Sequence, residues 1–246
     1  MPLTYRVAQS DYSSRVDALQ CISSAQELLV KYVDISPHSL LHAGFLCDAI
    51  KDLELSEGST VLELGMDPLK DYLIATICGV SIECYDIESD SVEAGNALMR
   101  RIFGSNPPVK YVFGDFLQHE IVQKTYSLAL LSQMDYVLNN RYLKSFSARL
   151  SQDSVDCILI ASPSSYRWFS LSLSNIAYNF ELILRTISKM VASINVRGEL
   201  SWHIRSVGEI RRLFGNEYSL SKISSYRQPY AITNLLVMRR NNRSHD

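Results

Sequence analysis

Between Thr60 and Ala161 the chain alternates short apolar runs with helical patterns, and this alternation constrains the fold more than any other feature. The apolar runs predict buried strands at 60–65, 80–87, 110–113, 128–134 and 155–161. Apolar residues at helical spacing separate several of them, at 68–78, 91–103 and 142–150. Strands that alternate with helices at this pitch form parallel βαβ units. We therefore predict an α/β fold with a doubly wound, mostly parallel sheet and helices on both faces.

The segment that precedes this alternation has a different pattern. Residues 1–57 show apolar residues at helical spacing, which predicts an N-terminal helical cap. Ser36 and Pro37 mark the start of one helix, because serine caps a helix and proline favours its first position. The sheet domain is accordingly predicted to span residues 58–246.

The regular alternation also stops after the fifth strand. Residues 164–198 predict a helical insertion outside the sheet. Ser206 and Glu209 have the spacing of a capping box, which predicts the start of another helix. Two closing strands then follow at 219–226 and 232–239, and they bring the predicted sheet to seven strands.

Composition excludes several classes of protein. Of the 246 residues, 47% are hydrophobic and 20% charged, as in globular proteins and unlike disordered chains. The net charge of −2 argues against nucleic acid as a partner. Five scattered cysteines without a C-x-x-C pair argue against a disulfide framework or zinc knuckle and favour a reducing compartment. Without a signal peptide or an apolar run of ~20 residues, we expect a cytoplasmic protein with no membrane span.

A short string after the first strand carries a family resemblance. The residues VLELGMDPLKD at 61–71 resemble motif I of the class I S-adenosylmethionine-dependent methyltransferases, where an acidic residue precedes a G-x-G-x-G turn. Glu63 and Gly65 match the acid and the first glycine. Asp67 and Leu69 stand where the second and third glycines belong.

Three downstream elements extend this resemblance. Asp86 ends the second strand about 20 residues after Gly65, where a Rossmann-like fold binds ribose hydroxyls. The residues at 111–116 resemble the third-strand motif, whose aspartate, here Asp115, accepts a hydrogen bond from the adenine amino group in the family. The residues at 126–138 resemble the fourth-strand motif, whose end passes beneath the methionine part of the cofactor. Their order and spacing make the resemblance specific.

The resemblance covers residues 58–162 well and 199–240 in outline, and it implies S-adenosylmethionine as cofactor. Its implied ligands include carboxylates for the ribose and adenine, and apolar walls around the ring. The predicted cofactor-binding residues are Glu63, Gly65, Met66, Asp86, Ile87, Asp115, Phe116, Ser132 and Gln133.

The implied function is methyl transfer to a small-molecule acceptor, at oxygen or nitrogen. The transfer is an in-line displacement on a carbon that the sulfonium has already activated, so positioning can supply much of the rate. A hydroxyl or amine acceptor would also benefit from a general base. Asp135, after the fourth strand, and His42, on the helix that begins near Pro37, are the catalytic candidates.

Asp67 leaves a second interpretation open. An Asp-Pro pair favours a helix start, so Asp67 is expected to act mainly as a cap. Its bulk and charge in the turn would also weaken a cofactor site. Asp115 is equally consistent with a cap and with a cofactor ligand. The alternative function is therefore a non-catalytic methyltransferase-like protein that acts as a scaffold or binding partner, alone or as a homo-oligomer.

Two other kinds of site are less consistent with the sequence. His38 and His42 share a helix face, but no third ligand accompanies them, so no metal site is predicted. A nicotinamide-binding domain would require G-x-G-x-x-G, and the turn after Gly65 lacks both later glycines.

Overall fold

The computed structural model describes six stretches of the chain. They are residues 6–7, 37–119, 125–135, 137–163, 205–227 and 232–241. The strands are β1 (Arg6–Val7), β2 (Thr60–Leu64), β3 (Ser81–Asp86), β4 (Val109–Phe113), β5 (Leu128–Ser132), β6 (Cys157–Pro163), β7 (Tyr218–Arg227) and β8 (Ile232–Arg240). The helices are α1 (Pro37–Lys51), α2 (Pro68–Cys78), α3 (Ser89–Phe103), α4 (Asn140–Gln152) and α5 (Val207–Phe214). The helical insertion predicted at 164–198 lies outside the described residues.

All the described strands belong to one mixed sheet. Their order across the sheet is β1-β7-β8-β6-β5-β2-β3-β4. Strands β2 to β6 run parallel, whereas β8 runs antiparallel to both of its neighbours, β6 and β7. The strand order reverses at β2, because β2 pairs with β3 on one side and with β5 on the other. The predicted α/β architecture is confirmed, with an antiparallel strand inserted near one edge.

The sheet has one strand more than the seven predicted. Arg6 and Val7 form β1, which pairs in parallel with Ser224 and Ser225 of β7. The expectation of helices alone in residues 1–57 is therefore wrong at these two residues. The outer edge of β7 offers unpaired backbone groups, and a two-residue segment can satisfy some of them without any strand pattern of its own.

Helices cover both faces of the sheet, as predicted. One apolar cluster joins α1, α2 and α3 to the first face, through residues such as Leu46, Leu73 and Met99. A second cluster joins α4 and α5 to the opposite face, through Phe146 and Phe214. None of the helices that the structure describes is long and apolar enough to cross a membrane.

Helix α2 has the bounds that the sequence predicts because its end signals are local. Asp67 is its N-cap, with the side chain accepting a hydrogen bond from the backbone N–H of Lys70 at 3.3 Å, and Pro68 follows. Gly79 ends the helix in the left-handed conformation, with φ of 65°. The capping role expected of Asp67 is thereby confirmed.

Helix α5 provides a test of the local sequence signals. Ser206 accepts a hydrogen bond from the backbone N–H of Glu209, and the Glu209 side chain accepts one from the Ser206 N–H. Ser206→Ala removes the first bond, so we expect a loss of about 1 kcal/mol in the free energy of unfolding, measured by urea titration. Ser219→Ala, at an exposed serine of β7, is the control and should change stability by less than about 0.5 kcal/mol. Equal losses in the two variants would contradict the capping assignment.

Candidate functional site

The candidate site lies beyond the carboxyl ends of the central parallel strands. The order reversal at β2 separates the loops that follow β2 and β5, and open α/β sheets bind ligands in the crevice at such a point. A cleft of about 480 Å³ opens beside the loop after β2, and its volume is within the range of small-molecule sites. The residues that line it are Met66, Pro68, Asp86, Ile87, Glu88, Ser91, Ala94, Gly95 and Leu98.

Gly65 makes the tight turn that begins this loop. Its φ is +78°, a left-handed conformation that favours glycine, and its N–H donates to the Tyr85 carbonyl at 2.9 Å. A Cβ at this position would lie 2.6 Å from the sulfur of Met134. The turn therefore requires glycine, and the Met134 side chain fills the space directly beside it.

Asp86 connects the loop after β2 to the loop after β3. Its Oδ2 accepts a hydrogen bond from the Met66 N–H at 3.0 Å, and its Oδ1 accepts one from the Glu88 N–H at 3.0 Å. Each carboxylate oxygen has two lone pairs, so Asp86 keeps acceptor capacity on its exposed side. The neighbouring Ile87 side chain is 60% exposed. An acceptor next to an accessible apolar surface can bind a ligand with hydroxyl groups beside a flat ring.

Asp115 holds the turn after β4. Its Oδ1 accepts hydrogen bonds from the Leu117 N–H at 2.9 Å and from the Tyr142 hydroxyl at 2.7 Å. Its Oδ2 accepts one from the Gln118 amide at 3.3 Å. Capping by Asp115 is confirmed, and its role toward adenine stays a prediction.

The aromatic ring expected as a cofactor wall lies in the core instead. Phe116 is fully buried and packs edge-on against Tyr85 and Phe146. The ring that reaches the surface here is Phe113, which is 56% exposed and stands opposite Asp86 in the register of β3 and β4. The sequence analysis missed Phe113, although strand alternation places it on the same face as Tyr111.

Glu63 is buried in an ionic cluster and does not line the cleft. Its carboxylate pairs with the Lys70 ammonium, which also lies 2.9 Å from Asp71 Oδ1, and all three side chains are almost completely buried. Burial and the nearby Asp71 raise the pKa of Glu63 well above its usual value. Burial alone would lower the pKa of Lys70, but Asp71 and Glu63 outweigh it and raise this pKa. With Cys84 within 4.8 Å, the cluster has metal-ligand chemistry, yet Lys70 already supplies the positive charge.

His42, on helix α1, is hydrogen-bonded to side chains of two strands, β5 and β7. Its Nε2 is hydrogen-bonded to Ser132 Oγ at 2.8 Å, and its Nδ1 is hydrogen-bonded to the Tyr226 hydroxyl. Phe45 stacks on Tyr226, with ring centroids 4.2 Å apart. Burial and, second, the positive charge of Lys70 lower the pKa of His42 to about 4, although the negative charge of Asp67 opposes this shift, so the imidazole is neutral near pH 7. Tyr226 carries no local sequence signal, because it reaches His42 only through the tertiary fold.

The residues that follow β5 have distinct surroundings. Gln133 adopts φ of +60°, and its N–H donates to the Ala161 carbonyl at 3.0 Å. Non-glycine residues held in this region cost of order 1–3 kcal/mol and are frequent at functional sites.

Asp135 is fully buried and accepts a hydrogen bond from the Ser162 hydroxyl at 2.6 Å. The two predicted catalytic residues therefore belong to separate polar groups: His42 with Ser132, and Asp135 with Ser162.

Solved structures share the fold across most of the chain. The magnesium protoporphyrin IX methyltransferase of Synechocystis PCC 6803, with bound S-adenosylhomocysteine, has a TM-score of 0.60 at 11% identity and covers 94% of this chain and 100% of its own. A putative sarcosine dimethylglycine methyltransferase from Galdieria sulphuraria has a TM-score of 0.57 at 11% identity, covering 92% and 99%. The N-methyltransferase NodS from Bradyrhizobium japonicum WM9 has a TM-score of 0.52 at 9% identity, covering 82% and 97%.

At these identities the likeness shows the fold. No protein-family model matches the chain, and no curated protein sequence matches it. The chain has the fold of class I S-adenosylmethionine-dependent methyltransferases, and the resemblance predicted from its motifs is confirmed at that level.

The buried ionic cluster predicts a large effect of a single substitution. Lys70→Met removes the ammonium and leaves Glu63 and Asp71 buried without it, so we expect a loss of about 3–5 kcal/mol in the free energy of unfolding. Urea unfolding followed by circular dichroism measures this loss. Lys222→Met is the matched control, since Lys222 is 54% exposed in its ion pair with Asp52 and should lose less than about 1 kcal/mol. Similar losses in both variants would contradict the role assigned to Lys70.

The buried imidazole predicts a pH dependence of stability. The pKa of His42 falls from 6.5 to about 4 on folding, so between these values the unfolded chain binds the extra proton. The His42 contribution to stability is present above pH 6.5 and is lost as pH falls toward 4, by up to about 3 kcal/mol. Urea unfolding at a series of pH values should show a shallower slope in this window for His42→Gln than for the unsubstituted protein. His119→Gln, at a partly exposed histidine, should retain the steeper slope; an unchanged slope in His42→Gln would be evidence against the buried neutral imidazole.

Proposed function

We propose that the protein transfers a methyl group from S-adenosylmethionine to a small-molecule acceptor, at oxygen or nitrogen. The observation that carries this proposal is the Asp86 carboxylate, which stands at the end of β3 beside the exposed Ile87 and lines the cleft. The shared fold supports it, because this position at a strand-order reversal suits a nucleoside ligand.

The cofactor fits the residues that surround the cleft. Asp86 would accept hydrogen bonds from the ribose hydroxyls, and Ile87 and Phe113 would supply apolar surface beside the adenine ring. Asp115 Oδ2 accepts a 3.3 Å hydrogen bond from the Gln118 amide and would also accept one from the adenine amino group. When bound, the cofactor supplies a methyl group already activated on a sulfonium.

The remaining predicted cofactor residues have two kinds of role. Gly65 and Met66 form the turn that the methionine part would approach, and Ser132 and Gln133 end the strand beneath it. Glu63 and Phe116 are fully buried, so we assign them an indirect role: they hold the ends of β2 and β4 that present the ligand-binding groups.

The hydrogen-bonded side chains of Ser132, His42 and Tyr226 would act on the acceptor that receives the methyl group. Ser132 is partly exposed, whereas His42 and Tyr226 are buried behind it. If Nδ1–H donates to Tyr226, then Nε2 accepts the Ser132 hydroxyl proton while Ser132 takes the proton of the acceptor. Tyr226 is thus a positioning residue that selects the tautomer of His42. The neutral imidazole can receive this proton, but its lowered pKa makes it a weak base, so its main contribution would be to orient the Ser132 hydroxyl.

Asp135 has a different role in this proposal. Its carboxylate is fully buried, and the bond from Ser162 connects the end of β5 to β6. Arg205, whose guanidinium donates to the Leu138 carbonyl and to Asn140, adds positive charge near it. We propose that Asp135 holds this end of the sheet in place and that His42 is the proton acceptor.

A small molecule is the acceptor class that best suits the chain. The net charge of −2 disfavours a polyanion as substrate. Two of the structural neighbours are named for small acceptors, magnesium protoporphyrin IX in one and sarcosine and dimethylglycine in the other. These small acceptors are consistent with the same fold.

Two observations favour the alternative of a non-catalytic scaffold. The Met134 sulfur occupies the space beside Gly65, and Asp67 places a carboxylate two residues further along the turn. Both features oppose close approach of the methionine carboxylate of a cofactor. Cofactor binding is therefore the property that separates the two functions.

Calorimetric titration with S-adenosylmethionine and with S-adenosylhomocysteine tests the proposal. We expect micromolar binding, weakened about 10- to 100-fold in Asp86→Ala, because hydrogen bonds to a charged group contribute about 1.5–3 kcal/mol. Asp90→Ala removes an exposed carboxylate from the first turn of α3 and should leave the affinity unchanged.

Circular dichroism of each variant shows whether the variant is folded, so that a loss of binding can be distinguished from unfolding. Absence of binding at millimolar ligand by the folded protein would overturn the methyltransferase proposal and favour the scaffold. An equal loss in Asp86→Ala and Asp90→Ala would overturn the site assignment.

A further inference from the structure

Two cysteines meet where helix α1 packs on helix α2. Cys47 is fully buried on α1, and Cys78 is the partly exposed last residue of α2. The Cys78 thiol lies 3.6 Å from the Cys47 carbonyl oxygen, to which it can donate a hydrogen bond. The contact belongs to the packing of α1 on α2. The Cys78 sulfur therefore already lies against residue 47 in the folded chain.

The two thiols differ in access and in acidity. The interaction with the Cys47 side chain lowers the pKa of Cys78; burial opposes this shift, and the positive charge of Lys51 supports it. The same interaction and burial raise the pKa of Cys47 well above its usual value. Asp48, also on α1, raises both pKa values slightly. Cys78 is thus the accessible thiol that ionises first, and Cys47 is the sheltered partner.

We propose that Cys78 and Cys47 form a thiol–disulfide exchange site that reacts with a low-molecular-weight disulfide and is converted into a disulfide between α1 and α2. The Cys78 thiolate attacks one sulfur of the small disulfide, which forms a mixed disulfide and releases one thiolate. The Cys47 thiolate then attacks the Cys78 sulfur and releases the second thiolate. The protons lost by the two cysteines end on the two released thiols, so the small disulfide is reduced by two electrons.

The disulfide would constrain the segment of the chain that forms the candidate site. Residues 47–78 include β2, the Gly65 turn and the whole of α2. Helix α1 also carries His42, five residues before Cys47 in the chain, and a covalent link would fix that helix to α2. This inference does not depend on the proposed methyl transfer, because it rests only on the contact between the two helices.

The reaction is tested on the full chain with mixtures of reduced and oxidised glutathione. After acid quenching and alkylation, peptide mass spectrometry should identify a Cys47–Cys78 cross-link, whereas Cys84 and Cys157, both buried, should be alkylated only after unfolding. Cys47→Ser should trap the mixed disulfide on Cys78, because the second attack is lost. Cys78→Ser should show neither cross-link nor adduct, and Cys157→Ser should behave as the unsubstituted protein.

Two results would overturn the proposal. One is a folded protein that remains fully reduced in the most oxidising mixture while Cys47→Ser gains no glutathione. The other is a cross-link that joins a different pair of cysteines. Cofactor titration of the reduced protein is a separate measurement, so failure of the methyltransferase proposal leaves this outcome unaffected.

Discussion

The buried ammonium of Lys70 joins the end of β2 to the first turn of α2, and the geometry of the candidate site depends on that contact. Glu63 is the strand partner of Lys70, and Asp71 is its helix partner. Asp71 also accepts a hydrogen bond from the Asp67 N–H at 3.2 Å, which fixes the residue before the helix. Both ends of the turn that contains Gly65 are thus held by one cluster. Any shift of α2 along β2 would separate charges inside the core, which is strongly unfavourable.

The parts of the fold that follow from short-range interactions could be predicted from the sequence. The bounds of α2 match because Asp67 and Gly79 determine its ends through contacts within a few residues. The capping box at Ser206 is predictable for the same reason. The position of Asp86 near Gly65 follows from parallel strand pairing, which brings successive strand ends to one edge of the sheet.

The parts that depend on tertiary packing could not be predicted. Lys70 lies on a helix whose residues Leu69–Ala75 are all buried, because α1 covers the side that a surface helix would expose. Nothing local indicates that Phe116 turns into the core or that Tyr226 meets His42. Strand β1 forms for a similar reason, since its conformation depends on pairing with the edge of β7 and not on a strand pattern of its own. Contacts of this kind decide which of the predicted residues face a ligand.

The same ionic cluster contributes to the electric field at the turn. The single positive charge of Lys70 offsets part of the negative charge of Glu63 and Asp71, and burial together with Asp71 raises the pKa of Glu63 well above its usual value. The carboxylates of Asp86 and Glu88 line the cleft, and that of Asp67 stands in the turn beside it; all three are at least partly exposed. These carboxylates attract a cationic sulfonium and repel an anionic carboxylate. Charge at the turn therefore constrains the ligand as well as the missing glycines do, since a positive group gains from Asp67, which stands in place of one of them, whereas Leu69, in place of the other, is buried in the core.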